Sequence, residues 1–199
     1  MRRIIMWNRV SADGYFAAAD GNLGWMIPDD QLDKEAVSAM DGPGTMLFGR
    51  KTYDGFESFW PGVVKDAPTA PDPHTPGRHT PELGAMARWI DDSRKIVFSK
   101  SRKNTPWRNS ELRHELDPAW IEGLKREPGS DILVFGSGSI VSLLTKHRLI
   151  DVYDFVVAPV FLGGGKALIQ GLPETARLRL EEAKTYPSGT VKLRYTLPA

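Results

Sequence analysis

"TMLFGRKTYDGFESFW" (45–60) is the stretch on which the reading of the chain turns. Three apolar residues, Met46, Leu47 and Phe48, run into Gly49 and then into two cations, Arg50 and Lys51. Beyond them Tyr53, Phe56, Phe59 and Trp60 fall on roughly one side of a helix. The pattern is a buried strand that turns at a glycine into an amphipathic helix. That helix opens with positive charges where its macrodipole is already positive. Such a placement is disfavoured by about 0.3–1 kcal/mol per cation unless an anion sits between the charges and the helix end.

Composition limits what the anion can be. The 199 residues carry a formal net charge of +1, so no broad positive field draws the chain to nucleic acid or anionic lipid. Any anion site is a local cluster. Cysteine is absent, which removes disulfides, thiolate nucleophiles and cysteine-based zinc sites and suits a reducing cytoplasm. The opening MRRIIMWNRVSADGYF has a basic pair, but its apolar stretch is too short and too soon interrupted for a signal peptide. No run approaches the ~20 apolar residues of a membrane span. One cytoplasmic domain over residues 1–199 is expected, without nucleic-acid or membrane partners.

Outward from 45–60, the chain alternates. Residues 3–10 read as a buried first strand ended by the Asp13–Gly14 turn signal, and 16–28 as an irregular, glycine-containing loop. Pro28, Asp29 and Asp30 start a helix that Leu32, Ala36, Val37 and Met40 carry on, and the DGPG at 41–44 stops it. Residues 61–83 hold six of the fifteen prolines and two of the four histidines, and so read as an inserted segment. Residues 95–101 give a short strand. A helix follows at 117–127, with Asp117 as N-cap and Pro118 at its first position, and then strand, Gly-Ser turn and helix over 131–147. A strand from 151 enters a glycine turn, and 178–186 with 190–197 form a hairpin around Pro187, Ser188 and Gly189. This order predicts a mostly parallel sheet with helices on both faces and an antiparallel edge.

In an open parallel sheet, ligands bind beyond the carboxyl ends of the strands. Three strand ends here suit a phosphate: Phe48 before Gly49-Arg50-Lys51-Thr52, Phe98 before Ser99-Lys100-Ser101, and Phe135 before Gly136-Ser137-Gly138-Ser139. Glycine lets the backbone approach a ligand closely, free N–H groups of the next helix point at an anion, and the hydroxyls and cations add bonds and charge. Each turn alone reads equally as a plain turn. Together they suit a ligand with several separated phosphates, such as the dinucleotide NADPH, with its pyrophosphate and 2′-phosphate.

The residues also resemble a known family. "SADGYFA" (11–17), "MLFGRKTYDGF" (46–56), "ILVFGSGSIVSLLT" (132–145) and "APVFLGGGKALI" (158–169) are similar, in order and spacing, to the dihydrofolate-reductase-like superfamily. Within it they resemble the reductase (C-terminal) domain of the RibD protein of riboflavin biosynthesis and its stand-alone relatives. The resemblance implies a three-layer α/β/α fold, a mainly parallel central sheet with an antiparallel C-terminal edge hairpin, and NADPH-dependent hydride transfer to a pteridine- or flavin-precursor-like substrate, of the 5-amino-6-(5-phosphoribosylamino)uracil type. It implies that Gly49, Arg50, Lys51 and Thr52 meet the adenine-side phosphates, that Ser99 and Lys100 meet the 2′-phosphate, and that Gly136, Ser137, Gly138, Ser139 and Ile140 cradle the pyrophosphate. It further implies that the segment Ala12 to Ala17, including Phe16, closes over the nicotinamide, and that Trp25, Gly163 and Gly164 border the substrate.

The resemblance further implies one carboxylate on the helix after the mobile loop for proton delivery, Asp33 or Asp30 by register, against the plain readings of Asp29 and Asp30 as N-terminal helix acids and Asp33 as a solvated face. His74 and His79 have no partner at metal-ligand spacing, Ser137 is not in a G-x-S-x-G elbow, and no P-loop is present, so no metal site, serine hydrolase or ATPase is expected. Absent cysteine ligands, the zinc deaminase that accompanies the bifunctional riboflavin enzyme is not expected. The resemblance also implies a homodimer. Two alternatives stay open: a non-catalytic NADP-binding regulatory protein and a true dihydrofolate reductase.

Overall fold

The structure is a computed structural model that describes residues 1–40, 42–66, 78 and 80–198. In chain order its elements are β1 (Ile4–Ser11), β2 (Tyr15–Ala17), α1 (Asp30–Ser38), β3 (Thr45–Gly49), α2 (Arg50–Asp66), α3 (Pro81–Asp92), β4 (Arg94–Phe98), β5 (Ser110–Arg113), α4 (Pro118–Arg126), β6 (Ile132–Val134), α5 (Gly138–Lys146), β7 (Val152–Ala158), β8 (Lys166–Ala167), β9 (Arg179–Thr185) and β10 (Val191–Thr196). Eight strands make one sheet in the order β5-β4-β3-β6-β1-β7-β10-β9. The first six are mutually parallel, and β10 runs antiparallel to both β7 and β9, which is the expected edge hairpin. A separate two-stranded ladder joins β2 to β8.

Helix starts follow the chemistry of their caps. Asp29 accepts hydrogen bonds from the backbone N–H groups of Gln31 and Leu32 at 3.0 Å, and Asp117 caps α4 ahead of Pro118. The expected insertion at 61–83 is helical at both ends. Helix α2 continues through Pro61 to Asp66, and α3 begins at Pro81 behind a Thr80 cap. Pro61 removes one helical hydrogen bond, but Trp60 and Val63 beside it are buried against α3 and the sheet, which offsets the loss. His74 and His79 lie outside the described residues.

Period-2 side chains sort the core into two layers. On one face Ile4 and Met6 of β1, Leu47, Ile96, Ile132 and Val134 pack against α4 and α5 through Ile121, Leu124, Ile140, Val141 and Leu144. On the other, Met46, Phe48 and Val97 pack against Tyr53 and Val63 of α2 and Leu83, Ala87 and Ile90 of α3. Helix α1 covers that same face further along, through Leu32 on Val156 and Tyr186. Between α1 and the α2/α3 pair a strip of sheet has no helix over it among the described residues. Ile5, Trp7, Arg9, Leu133 and Phe135 are left half-buried there, and they line a broad cavity. Among the described residues no helix is long and apolar enough to cross a membrane.

Helix α1 is fastened to the C-terminal hairpin by Glu35, whose carboxylate accepts hydrogen bonds from Lys184, Lys192 and, at 2.9 Å, the Tyr186 hydroxyl. Burial pushes the Glu35 carboxyl up, but these three donors outweigh it and hold it down at about 2, against an ordinary 4.5. A depressed folded-state value means stability that is complete above pH 4.5 and is lost as pH falls toward 2. Glu35→Gln is therefore expected to lower stability at pH 7 by about 1–3 kcal/mol and to flatten the acid limb of the unfolding free energy between those values. Urea melts at a series of pH values check this, and an acid limb identical in both proteins would contradict it.

Candidate active site: a cationic groove beside an aromatic chamber

The three phosphate-suited turns stand on adjacent strands. In the sheet β4, β3 and β6 are neighbours and parallel, so Phe98, Gly49 and Val134 end at one rim within about two strand spacings, or roughly 10 Å. A groove of about 720 Å³ runs along that rim. It is lined by Gly49, Arg50 and Lys51, by Ser99, Lys100 and Ser101, and by Ser137, Gly138 and Ser139. Phe16, Ser142 and Lys166 join them from neighbouring elements. Among the described residues, four cations line the groove and no carboxylate does. None of Arg50, Lys51, Lys100 and Lys166 is ion-paired among the described residues, whereas nearby Arg102 is engaged by Asp54 and Glu57.

Backbone and packing fix the groove's shape. A Cβ on Gly49 would stand 2.0 Å from Ser137 Oγ and 3.1 Å from Ile140, so β3 and the start of α5 meet only because residue 49 has no side chain. Ser137 is the N-cap of α5 but makes no side-chain cap bond; its hydroxyl lies 3.0 Å from that of Ser139. The first N–H groups of α5 are thus left to an anion. Helix α2 has no acid in its first turn. Ser99 Oγ accepts from the backbone N–H of Ser101 at 3.3 Å and Arg102 at 3.0 Å, which shapes the turn that presents Lys100.

The larger cavity, about 1870 Å³, is the uncovered strip of sheet and its surroundings. Trp7, Phe56, Phe59 and Phe135 give it aromatic walls, with Ala17, Leu23, Met26 and Thr52 beside them. Several ion pairs line it, and one cluster stands on α1 beside β1. Arg9 donates to the Ile27 carbonyl at 2.7 Å and lies 3.5 Å from Asp33, and Arg78 bonds Asp33 at 2.9 Å and also bonds Asp30. Phe16, Lys51, Ser137 and Lys166 line both cavities, so these four mark where groove and chamber meet.

The expected residues are not all gathered. Gly49, Arg50, Lys51, Ser99, Lys100, Ser137, Gly138, Ser139 and Phe16 line the groove. Thr52 and Ala17 line only the chamber. Gly136 and Ile140 sit behind the wall, packed near Thr52 and Gly49 respectively. Ala12 is exposed, its N–H donating to the Val160 carbonyl at 2.8 Å, and lines neither cavity. Gly163 and Gly164 also line neither; the N–H of Gly163 donates to the Asp13 carboxylate at 2.8 Å. Trp25 lines neither as well; its indole N–H is buried without a hydrogen-bond partner among the described residues. Asp30 is 72% exposed, and Asp33 is engaged by the guanidinium groups of Arg9 and Arg78. Arg9 and Arg78 escaped the sequence reading, and Lys166 belongs to the glycine turn that the resemblance set beside the substrate rather than at the groove it lines. Arg9 had a signal, a charge in the middle of a buried strand on the face of Ile5 and Trp7.

The layered sheet with its antiparallel edge is the dihydrofolate-reductase-like fold. The dihydrofolate reductase of Enterococcus faecalis, solved in complex with NADP(H), superposes with a TM-score of 0.58 at 12% identity over 99% of this chain and 97% of that one. The chain belongs to the RibD C-terminal domain family, whose model matches residues 2–192. A protein of Shewanella sp. PV-4 provisionally assigned to riboflavin biosynthesis superposes with a TM-score of 0.70 at 20% identity over 100% of both chains. The uncharacterized protein YyaP of Bacillus subtilis (strain 168) is 27% identical over 199 residues, 98% of this chain and 94% of its own.

Proposed function

We propose that the protein is an NADPH-dependent reductase of a small heterocyclic substrate of the pteridine or flavin-precursor kind. The observation that carries this reading is the groove on three adjacent strand ends, with four cations unpaired among the described residues and no acid. Four positive charges brought together without counter-ions repel one another, and a ligand with several phosphates removes that repulsion. The donor set fits the dinucleotide: helix N–H groups and hydroxyls at Ser137–Ser139 for a pyrophosphate, Arg50, Lys51 and Lys100 for a further phosphoryl group. When bound, NADPH supplies a hydride. The chain's part is to hold it along the rim, to leave its reactive end toward the Phe16–Ser137 junction, and to keep water from the aromatic chamber where a flat heterocycle stacks.

The test is the fall in absorbance at 340 nm when NADPH is offered with a panel of flavin-precursor, pterin and quinone substrates. Turnover of a heterocycle is the expected result. One observation favours a second reading, a nucleotide-binding regulatory protein: Asp33, one of the acids that line the chamber and a candidate for proton delivery, is tied to Arg9 and Arg78. Tight NADPH binding with no turnover anywhere in the panel would favour it, and turnover of dihydrofolate blocked by an antifolate would make the protein a dihydrofolate reductase.

A further inference from the structure

Lys166 is placed with unusual care for a lysine that touches no acid. Its strand β8 pairs with β2, Ala17 opposite Lys166. Ahead of it, the Asp13 carboxylate accepts from the N–H groups of Leu162, at 3.1 Å, and Gly163, at 2.8 Å, and Ser11 donates to Asp13 at 2.6 Å. Behind it, the carbonyls of Ala167 and Leu168 pass 3.0 Å from where a Cβ on Gly138 would stand, so β8 lies against the first residue of α5. From above, Gly21 closes over the ammonium: its φ is +94°, and a Cβ there would be 2.8 Å from Lys166 Nζ. Lys166 lines both groove and chamber, and its ammonium has no hydrogen-bond or ion-pair partner among the described residues.

We propose that Lys166 binds the diphosphate bridge of the dinucleotide, as a cation supplied by the β8 wall of the groove. The proposal rests on the NADPH reading above. Position selects the diphosphate over the 2′-phosphate. Lys166 packs beside the start of α5 at the end of β6, whereas Ser99 and Lys100 lie two strands away at the end of β4. A lysine is a compact charge on a flexible stem, suited to two neighbouring phosphoryl groups rather than to one fixed bidentate geometry. Because the diphosphate is common to NADPH and NADH, Lys166 should serve both nucleotides alike, unlike a cation that reads the 2′-phosphate.

The experiment titrates Lys166→Gln and Lys166→Arg with NADPH and with NADH by calorimetry, after thermal melting shows both variants folded. Lys166→Gln is expected to weaken both nucleotides by about tenfold to a hundredfold, by similar factors, and Lys166→Arg to recover most of the loss. As a readout that needs no variant, reductive methylation of the unsubstituted protein, followed by peptide mass spectrometry, should show Lys166 protected by either nucleotide. Loss for NADPH alone, unchanged affinity for both, or equal labelling with and without nucleotide would each overturn the proposal. If the unsubstituted protein bound neither nucleotide, the reading of the groove would fail first and this proposal with it; if it bound them and Lys166→Gln changed only a substrate KM, this proposal alone would fall.

Discussion

The double variant Arg50→Ala, Lys51→Ala is expected to bind NADPH about 30- to 100-fold more weakly, with a several-fold smaller loss for NADH. The two cations stand at the end of β3, next to the β4 turn that carries Ser99 and Lys100, so this end of the groove is where an extra phosphoryl group finds charge. Charge-assisted bonds are worth about 1.5–3 kcal/mol each, and part of that is returned because the freed phosphate stays solvated. The same variant should be more stable than the original when no nucleotide is present. Removing two cations from the positive end of α2, which has no acid in its first turn, recovers about 0.3–1 kcal/mol per charge. Calorimetry with both nucleotides and a thermal melt of the free protein check the two halves. Equal loss for NADPH and NADH would show that Arg50 and Lys51 do not read the 2′-phosphate. A lower melting temperature would show that they hold the fold rather than a ligand.

Gly49→Ala is expected to weaken nucleotide binding by about tenfold to a hundredfold while lowering stability by only about 1–3 kcal/mol. The new methyl group meets Ser137 Oγ at 2.0 Å and both Ser137 Cβ and Ile140 at 3.1 Å. The hydroxyl can rotate away, but it then leaves Ser139, and the start of α5 must yield by a few tenths of an ångström. That displacement falls on the groove wall, so binding suffers more than the fold. Gly62→Ala on α2 is the matched control: its Cβ would meet nothing within 4 Å, and replacing an exposed helical glycine adds about 0.5–1 kcal/mol of stability. Wild-type affinity in Gly49→Ala would show that the β3–α5 contact plays no part in the site.

What could be read in advance follows the range of the forces involved. Residues 45–60 carried a strand, a turn and a helix in sixteen consecutive positions, because strand burial, glycine and helical periodicity act over a few residues. The cap at Asp117, the helix start around Asp29 and the hairpin at Pro187–Gly189 were legible for the same reason, although Asp29 turns out to be the cap rather than an acid of the first turn. Helix α3 was hidden by the proline-rich stretch before it, although Thr80 and Pro81 form an ordinary N-terminal pair. Strand β5, four half-buried residues with Glu111 and Arg113 in it, had no apolar run to betray it. The site divides along the same line. Gly49, Lys100 and Ser137 follow strands directly and were placed from local sequence. Lys166 reaches the groove only because β8 pairs with β2, and Arg78 meets Asp33 across 45 residues; neither contact has a local signature. The ties of Asp33, a candidate for proton delivery, to Arg9 and Arg78 were not legible because nothing in its own neighbourhood announces them.

The most direct measurement is a calorimetric titration of the unsubstituted protein with NADPH and NADH at several salt concentrations. A groove lined by four cations without a carboxylate predicts that NADPH binds at least about tenfold more tightly than NADH and that this margin narrows as salt rises. No binding, or equal affinities indifferent to salt, would contradict it.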